Sequence, residues 1–309
     1  MNLKKDSHGL WSITDNENDK DNLRFCEYFL KYINLLDIIF ASAKDKCEFE
    51  FLFSIFNIKG QMDPGWDTMD TIKIIIPEIV DVHNKIENKL IKFHLKLWTY
   101  CSILEASSIY EVIGNLICVA NGERYSVNIF PNIINKNNNK SRPQTPNEKI
   151  IQIKKWASGT KYFDAVKIYK DIWDQDIRNA TYHSDYTIHK DEMRLFNSKK
   201  NGIYKIFQVE ELAMKALAYY ESFFSLYEHY LKSYEKPVVL KLHPDCSDWP
   251  GEWEVIIHEG NGARGIQNKR AKEDILNHVL VQRVAHITKQ QEKYLRDNPY
   301  TAIIPEDII

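Results

Sequence analysis

Residues 79–104 read IVDVHNKIENKLIKFHLKLWTYCSIL. Ile79, Val82, Ile86, Leu90, Phe93, Leu97, Cys101 and Leu104 recur three and four positions apart. At 3.6 residues per turn that spacing draws a single apolar stripe, so it predicts one long amphipathic helix from Ile79 to Leu104. Asp81, His83 and Glu87 fall on or beside its polar side, where they read as a solvated face.

The same period recurs along much of the chain. From Leu23 to Ala43 it runs through Phe25, Tyr28, Tyr32, Leu35 and Ile39, and a further helix is predicted over Ile109–Ala120, closed by Asn121-Gly122. Helical pattern resumes near Lys149 and strengthens over Tyr162–Ala180. It returns over Val209–Tyr234, where Val209, Leu212, Ala216, Tyr220, Phe223, Tyr227 and Tyr230 share a face and Pro237 follows as a stop. Cys47–Ile58 reads two ways: Phe49, Phe51, Phe53 and Ile55 alternate like a strand, but a helix end also fits. Residues 1–22 read as a solvated tail, Gln61–Asp70 with Pro64-Gly65 as a turn, and Pro131–Asn147 as a long Asn- and Pro-rich loop. Ser184–Phe207 is polar and partly extended, with Gly202 as a breaker. After Pro237 the character changes: Val238–Leu242 and Trp253–His258 read as short strands and Ala271–Tyr294 as a charged helix. The expected fold is therefore mainly α. It has an N-terminal tail and helical extension at 1–70, further helices through 71–235, and a small α/β appendage at 236–309.

Composition narrows the function classes. The chain has 309 residues, 44% of them hydrophobic, which suits a packed core rather than disorder. With 41 basic and 43 acidic residues it lacks the basic excess of a general nucleic-acid coat, although a local patch could still hold one RNA. Five scattered cysteines without a Cys-x-x-Cys pair argue against a disulfide framework or structural zinc and fit a reducing cytoplasm. No stretch reads as a signal peptide or membrane span.

The segment richest in chemistry is Asp176–Ile188, DIRNATYHSDYTI. Asp176, Asn179 and His183 sit at i, i+3 and i+7 and form one polar line on a helix. Arg178 lies roughly 140° around from His183 at 100° per residue. An imidazole can move a proton near neutral pH, and a guanidinium can hold a phosphate and stabilise charge building on phosphorus. In RNA the 2′-hydroxyl supplies the nucleophile, so neither a metal nor a cofactor is expected. Read singly, Arg178 could be a surface partner of Asp174, and His183 a helix-end histidine that favours the dipole.

Arg178-Asn179-x-x-x-His183 resembles the Arg-x4-6-His signature of HEPN domains in its Arg-Asn-x3-His form, and Ser184-Asp185-Tyr186-Thr187-Ile188 is similar to the tail found in many members. The resemblance covers roughly 71–235. It implies that 71–235 form an up-and-down helical bundle that dimerises around a composite active site. It also implies endoribonuclease activity without a metal, through Arg178, Asn179 and His183, with Asp176, Asp185 and Tyr186 toward the substrate. Structured or transfer RNA as target, a role as a toxin or abortive-infection effector, and an antitoxin or regulatory protein as partner come with it. In some members an acidic residue on an early bundle helix supports the site, and no motif marks one here. The alternative is a non-catalytic module of the same fold that binds a protein or nucleotide.

One competing motif remains. Gly260, Gly262 and Gly265 fit G-x-G-x-x-G after a strand-like run, but no room follows for a nucleotide-binding sheet and the expected acidic residue is missing. Arg264, Lys269, Arg270 and Lys272 could instead meet RNA phosphates.

Overall fold

The computed structural model describes residues 3–7, 9–13, 20–57, 68–134, 140–196, 202–240, 252–258, 260 and 262–268. Nine α-helices dominate these residues, joined by short antiparallel sheets. The fold is mainly α. The expected helix over Ala271–Tyr294 lies outside the described residues, as does most of the 61–70 turn. Contacts divide the chain into two compact units, one of residues 1–38, 68–110 and 144–225, the other of 39–67, 111–143 and 226–309.

In the first unit, the expected tail contains a hairpin of β1 (Leu3–Lys5) and β2 (Trp11–Ile13). Trp11 is buried, its indole N–H donates to Asp37 at 3.0 Å, and its backbone N–H donates to Asn34 at 2.8 Å. Both acceptors lie on α1 (Lys20–Lys46). A polar composition hid this anchor because one tryptophan and one buried carboxylate carry it.

The helix predicted over 79–104 is two helices, α3 (Thr68–Lys85) and α4 (Lys89–Glu105). Asn88 makes the break. Its backbone is extended, and its Oδ1 accepts from the N–H groups of Leu90 at 3.0 Å and Ile91 at 3.1 Å, satisfying donors that a new helix start leaves open. The apolar period runs across the break because Ile86 and Leu90 are four apart, the step a continuous helix would take. Burial departs from the predicted stripe around the break: Phe93, Leu97, Cys101 and Leu104 are in the core, while Val82 and Leu90, on either side of Asn88, are exposed.

The ambiguous 47–58 segment forms α2 (Glu48–Ile55), in the second unit. Every residue from Phe49 to Ile55 is buried, so no face-specific period could show. Within that unit Phe51 and Phe40 each lie 5.4 Å from the Tyr230 ring, and Phe49 meets Trp253 at 5.7 Å. The buried Glu50 carboxylate accepts from the Tyr125 N–H at 2.7 Å. α5 (Ser107–Ala120) follows α4 as expected. The 131–147 loop holds a minimal ladder, β3 (Ile133–Ile134) with β4 (Ser141–Arg142).

α6 (Pro146–Ala157) opens on a Thr145–Glu148 capping box with proline in its first turn. A 3-10 turn at Ala165–Lys167 leads into α7 (Ile168–Ile172) and α8 (Gln175–His183). The polar stretch after His183 is a three-stranded meander, β5 (Tyr186–His189), β6 (Glu192–Leu195) and β7 (Ile203–Lys205). The last long helix is α9 (Ile206–Lys232). In the second unit, β8 (Val239–Leu240), β9 (Trp253–His258) and β10 (Gly262–Asn268) form an antiparallel sheet in the order β10-β9-β8.

The glycine-rich run belongs to that sheet. Gly262 has φ +74°, and a Cβ there would come 2.1 Å from the Leu231 carbonyl oxygen. Its glycine is required by backbone conformation and close approach to a helix end. The run leads into a strand, where a dinucleotide fingerprint requires a helix.

Replacing Asn88 with alanine removes the α4 cap while leaving its surroundings exposed. The expected cost is about 1 kcal/mol, read as a lower midpoint in urea unfolding at unchanged slope. No loss would mean that the α3–α4 break is held by something other than this side chain.

Candidate functional site

The Asp176–Ile188 segment folds as α8, a left-handed residue and the first strand of the meander. Asp174 starts the helix: its Oδ1 accepts from the N–H groups of Asp176 and Ile177, each at 3.0 Å. Its other oxygen accepts from the Tyr204 hydroxyl of β7 at 3.3 Å. Tyr100 of α4 fastens the corner from inside. Its buried hydroxyl donates to the Ile172 carbonyl and accepts from the Asp174 N–H, both at 3.0 Å. At the far end Ser184 takes φ 56°, and the Asp185 N–H closes the turn on the Ala180 carbonyl at 2.9 Å. Asp185 also accepts, through its own carbonyl, from the Phe196 N–H at 3.0 Å.

Ile177, Ala180 and Thr181 form the buried side of α8. Arg178 is half-buried and meets Glu105, the last residue of α4, through Nε at 2.7 Å and through Nη2 in a shorter contact. Its Nη1 donates to the Asn179 side-chain oxygen at 2.8 Å. The guanidinium also stands 4.9 Å from the Tyr182 ring centre. Of five guanidinium N–H donors, these bonds use three; one on each Nη remains for a ligand. The partner is Glu105, where a sequence reading offers Asp174 at i−4. Asp174 is occupied as the helix cap.

His183 is the last residue of α8 and is exposed. Because its backbone is still helical, it leaves the axis roughly 140° from Arg178. Asn179 lies between them. The structure therefore joins Arg178 to Asn179 and leaves His183 on the same exposed arc but turned away. Asp176 is half-buried in the first turn, next to the capped end. Tyr186 hydrogen-bonds through its hydroxyl to His94 Nδ1 of α4 at 2.7 Å.

Sequence reasoning missed Glu105, Tyr182 and His94. Glu105 and His94 approach only through the packing of α4 on α8, and nothing near Arg178 in sequence announces them. Burial pushes the Cys101 thiol up to about 12, with Thr181 and Arg178 acting in the opposite sense, so it is a core group and not a nucleophile. Desolvation likewise raises the Tyr182 phenol to about 12, helped by Cys101 and Glu105.

Among the described residues no group of three or more His, Cys, Asp or Glu side chains is placed to hold a metal ion. No single helix there is long and apolar enough to cross a membrane. Set against known protein families, curated proteins and solved structures, the chain matches none.

Tyr100→Phe would strip the Ile172 carbonyl and the Asp174 N–H of a buried partner. The expected destabilisation is about 1–3 kcal/mol, measured by denaturant unfolding. Faster amide exchange in residues 175–178 should accompany it. Unchanged exchange would mean that the α7–α8 corner is held without Tyr100.

Proposed function

We propose that this chain is a metal-independent endoribonuclease of the HEPN type. The observation that carries the reading is the state of Arg178: its guanidinium is oriented by Glu105 and Asn179 and keeps two donors for a phosphate. In some HEPN members an acidic residue on an early helix supports the site; no motif marks one in this sequence, and Glu105 takes that role in this reading. In this mechanism His183 takes the 2′-hydroxyl proton or gives one to the leaving 5′-oxygen. Arg178 balances charge on the phosphorane-like transition state, and Asn179 aligns Arg178. Asp176, Asp185 and Tyr186 border the substrate path, with Tyr186 held through His94.

The roughly 140° divergence on α8 favours a homodimer in which Arg178 of one chain works with His183 of the other, because a two-fold interface sets like segments against each other. By the same resemblance we place the enzyme in the cytoplasm as a toxin or abortive-infection effector, with transfer RNA among its targets and an antitoxin or regulatory protein to restrain it. A non-catalytic module that binds a protein or nucleotide is the alternative, and it predicts no dependence of RNA integrity on His183.

His183→Ala and Arg178→Ala should each lower RNA cleavage by about a hundredfold or more in excess chelator, while the fold is retained. An equimolar mixture of the two variants, allowed to exchange subunits, should recover part of the activity, since mixed dimers hold one complete site. Activity that survives both substitutions, or that disappears with chelator and returns with one divalent metal, would overturn the reading. Mixed dimers identified by mass that stay inactive would remove the shared site.

A further inference from the structure

The first unit holds a cavity of about 440 Å³ whose walls come from α1, α3, α4 and α9. Its volume falls in the range of small-molecule sites. Part of the wall is apolar: Phe25 of α1, Val80 of α3, and Phe207, Met214 and Leu217 of α9. Two aromatic rings and a thioether offer surfaces that suit a flat, polarisable partner.

The charged part of the wall is balanced. Lys96 meets Glu210 at 2.7 Å and Arg24 meets Glu211 at 3.3 Å, so each cation is matched by a carboxylate. The Thr99 hydroxyl donates within its own helix, to the Leu95 carbonyl at 2.8 Å. Unspent hydrogen-bonding capacity lies at the end of α3. His83 Nδ1 stands 3.3 Å from Asn84 Oδ1; with that oxygen accepting, the ring proton sits on Nδ1 and Nε2 is an acceptor. Nε2 is buried without a hydrogen-bond partner, a costly setting for a polar atom. Burial, aided by Lys96 and Lys92, lowers the His83 pKa, which keeps the imidazole neutral at pH 7. Asn84 is exposed at the cavity wall, and its amide nitrogen is a donor on the residue next to that acceptor.

Access to Nε2 follows from how α3 is seated. Of its eighteen residues only Met69 and Ile76 are buried. An element held by so little burial shifts at small cost, which opens a covered atom on its last turn to a ligand.

We propose that this cavity binds a free, uncharged heteroaromatic molecule of about purine size, with His83 and Asn84 as its polar anchors. A purine carries an N–H donor and an acceptor side by side on one edge, the complement of the His83 acceptor and the Asn84 donor. An aliphatic amide would bring the same two groups without a flat face for Phe25 and Phe207. A polyanion would gain little from a wall whose cations are already matched by Glu210 and Glu211. The site is separate from Arg178 and His183 and does not depend on the ribonuclease reading.

The test is isothermal titration of the full chain with adenine and hypoxanthine, both uncharged at pH 7. At least one should bind saturably, with one site per chain. Met214→Trp, which places a larger ring at the cavity wall, should abolish that binding. Phe207→Ala, at a ring 65% exposed and outside the core, should weaken it. His83→Phe and Asn84→Ala should each weaken it by roughly 2- to 12-fold, the range that one neutral hydrogen bond implies. Without ligand, the thermal midpoint of His83→Phe should not fall, because the change removes a buried nitrogen that has no partner. An oligoadenylate of about eight residues, long enough to bind as a single strand, should not displace the free base.

No binding of either compound overturns the proposal, as does binding that Phe207→Ala and His83→Phe leave unchanged. Displacement by oligoadenylate would assign the cavity to a base within an RNA chain and overturn the free ligand. RNA cleavage enters none of these measurements, so failure of the ribonuclease reading is seen separately.

Discussion

Between Ile172 and Asp174 the chain turns from one short helix into the next, and the Tyr100 hydroxyl fills that turn from the core side. The rest of the site depends on this insertion. It fixes where α8 begins along α4, and a helix start fixed to within one residue fixes the direction of every later side chain. Asp174 spends one oxygen on the first turn of α8 and the other on Tyr204 of the meander. The corner therefore ties α4, α8 and β7 together before any functional residue is considered. Moving the start by one residue would rotate Arg178 about 100° away from Glu105.

The Arg178–Glu105 pair itself adds little to stability. Both side chains are partly solvated, at 24% and 31% exposure, a setting in which ion pairs contribute about 0–1 kcal/mol. Its consequence is directional. A guanidinium gripped by a carboxylate through Nε and Nη2 and bonded to Asn179 through Nη1 loses much of its rotational freedom and keeps one N–H donor on each Nη. Preorganised donors of that kind are what charge stabilisation in a transition state requires. Glu105 also cancels part of the cation's charge, which leaves geometry as the larger asset of the arrangement.

Much of the architecture was legible in the sequence. The helices over 23–43, 109–120 and 209–234 carry strong 3.6-residue periods, and their observed limits differ only at the ends. The single helix over 79–104 was illegible as two, because the period passes through Asn88 in step and only the cap's hydrogen bonds reveal the break. α2 gave no period because all its sides are buried. The local motif on α8 could be read directly, since its members are neighbours in sequence. Glu105 could not, because it lies 73 residues from Arg178 and reaches it through the packing of two helices. Gly262 shows the opposite case: a motif legible in sequence, whose glycine answers to a backbone approach instead of a phosphate.

The central claim is that an RNA 2′-hydroxyl attacks its own phosphate while Arg178 and His183 supply charge and protons. The most direct measurement is the chemistry of the cut ends, by mass spectrometry of a defined RNA and of the same RNA with 2′-deoxyribose on the 5′ side of the cleaved phosphate. The account predicts a cyclic phosphate and a 5′-hydroxyl at the cut in the first RNA, and no cleavage at that position in the second. A 5′-phosphate with a 3′-hydroxyl, or unchanged cleavage of the deoxy-substituted strand, would contradict it.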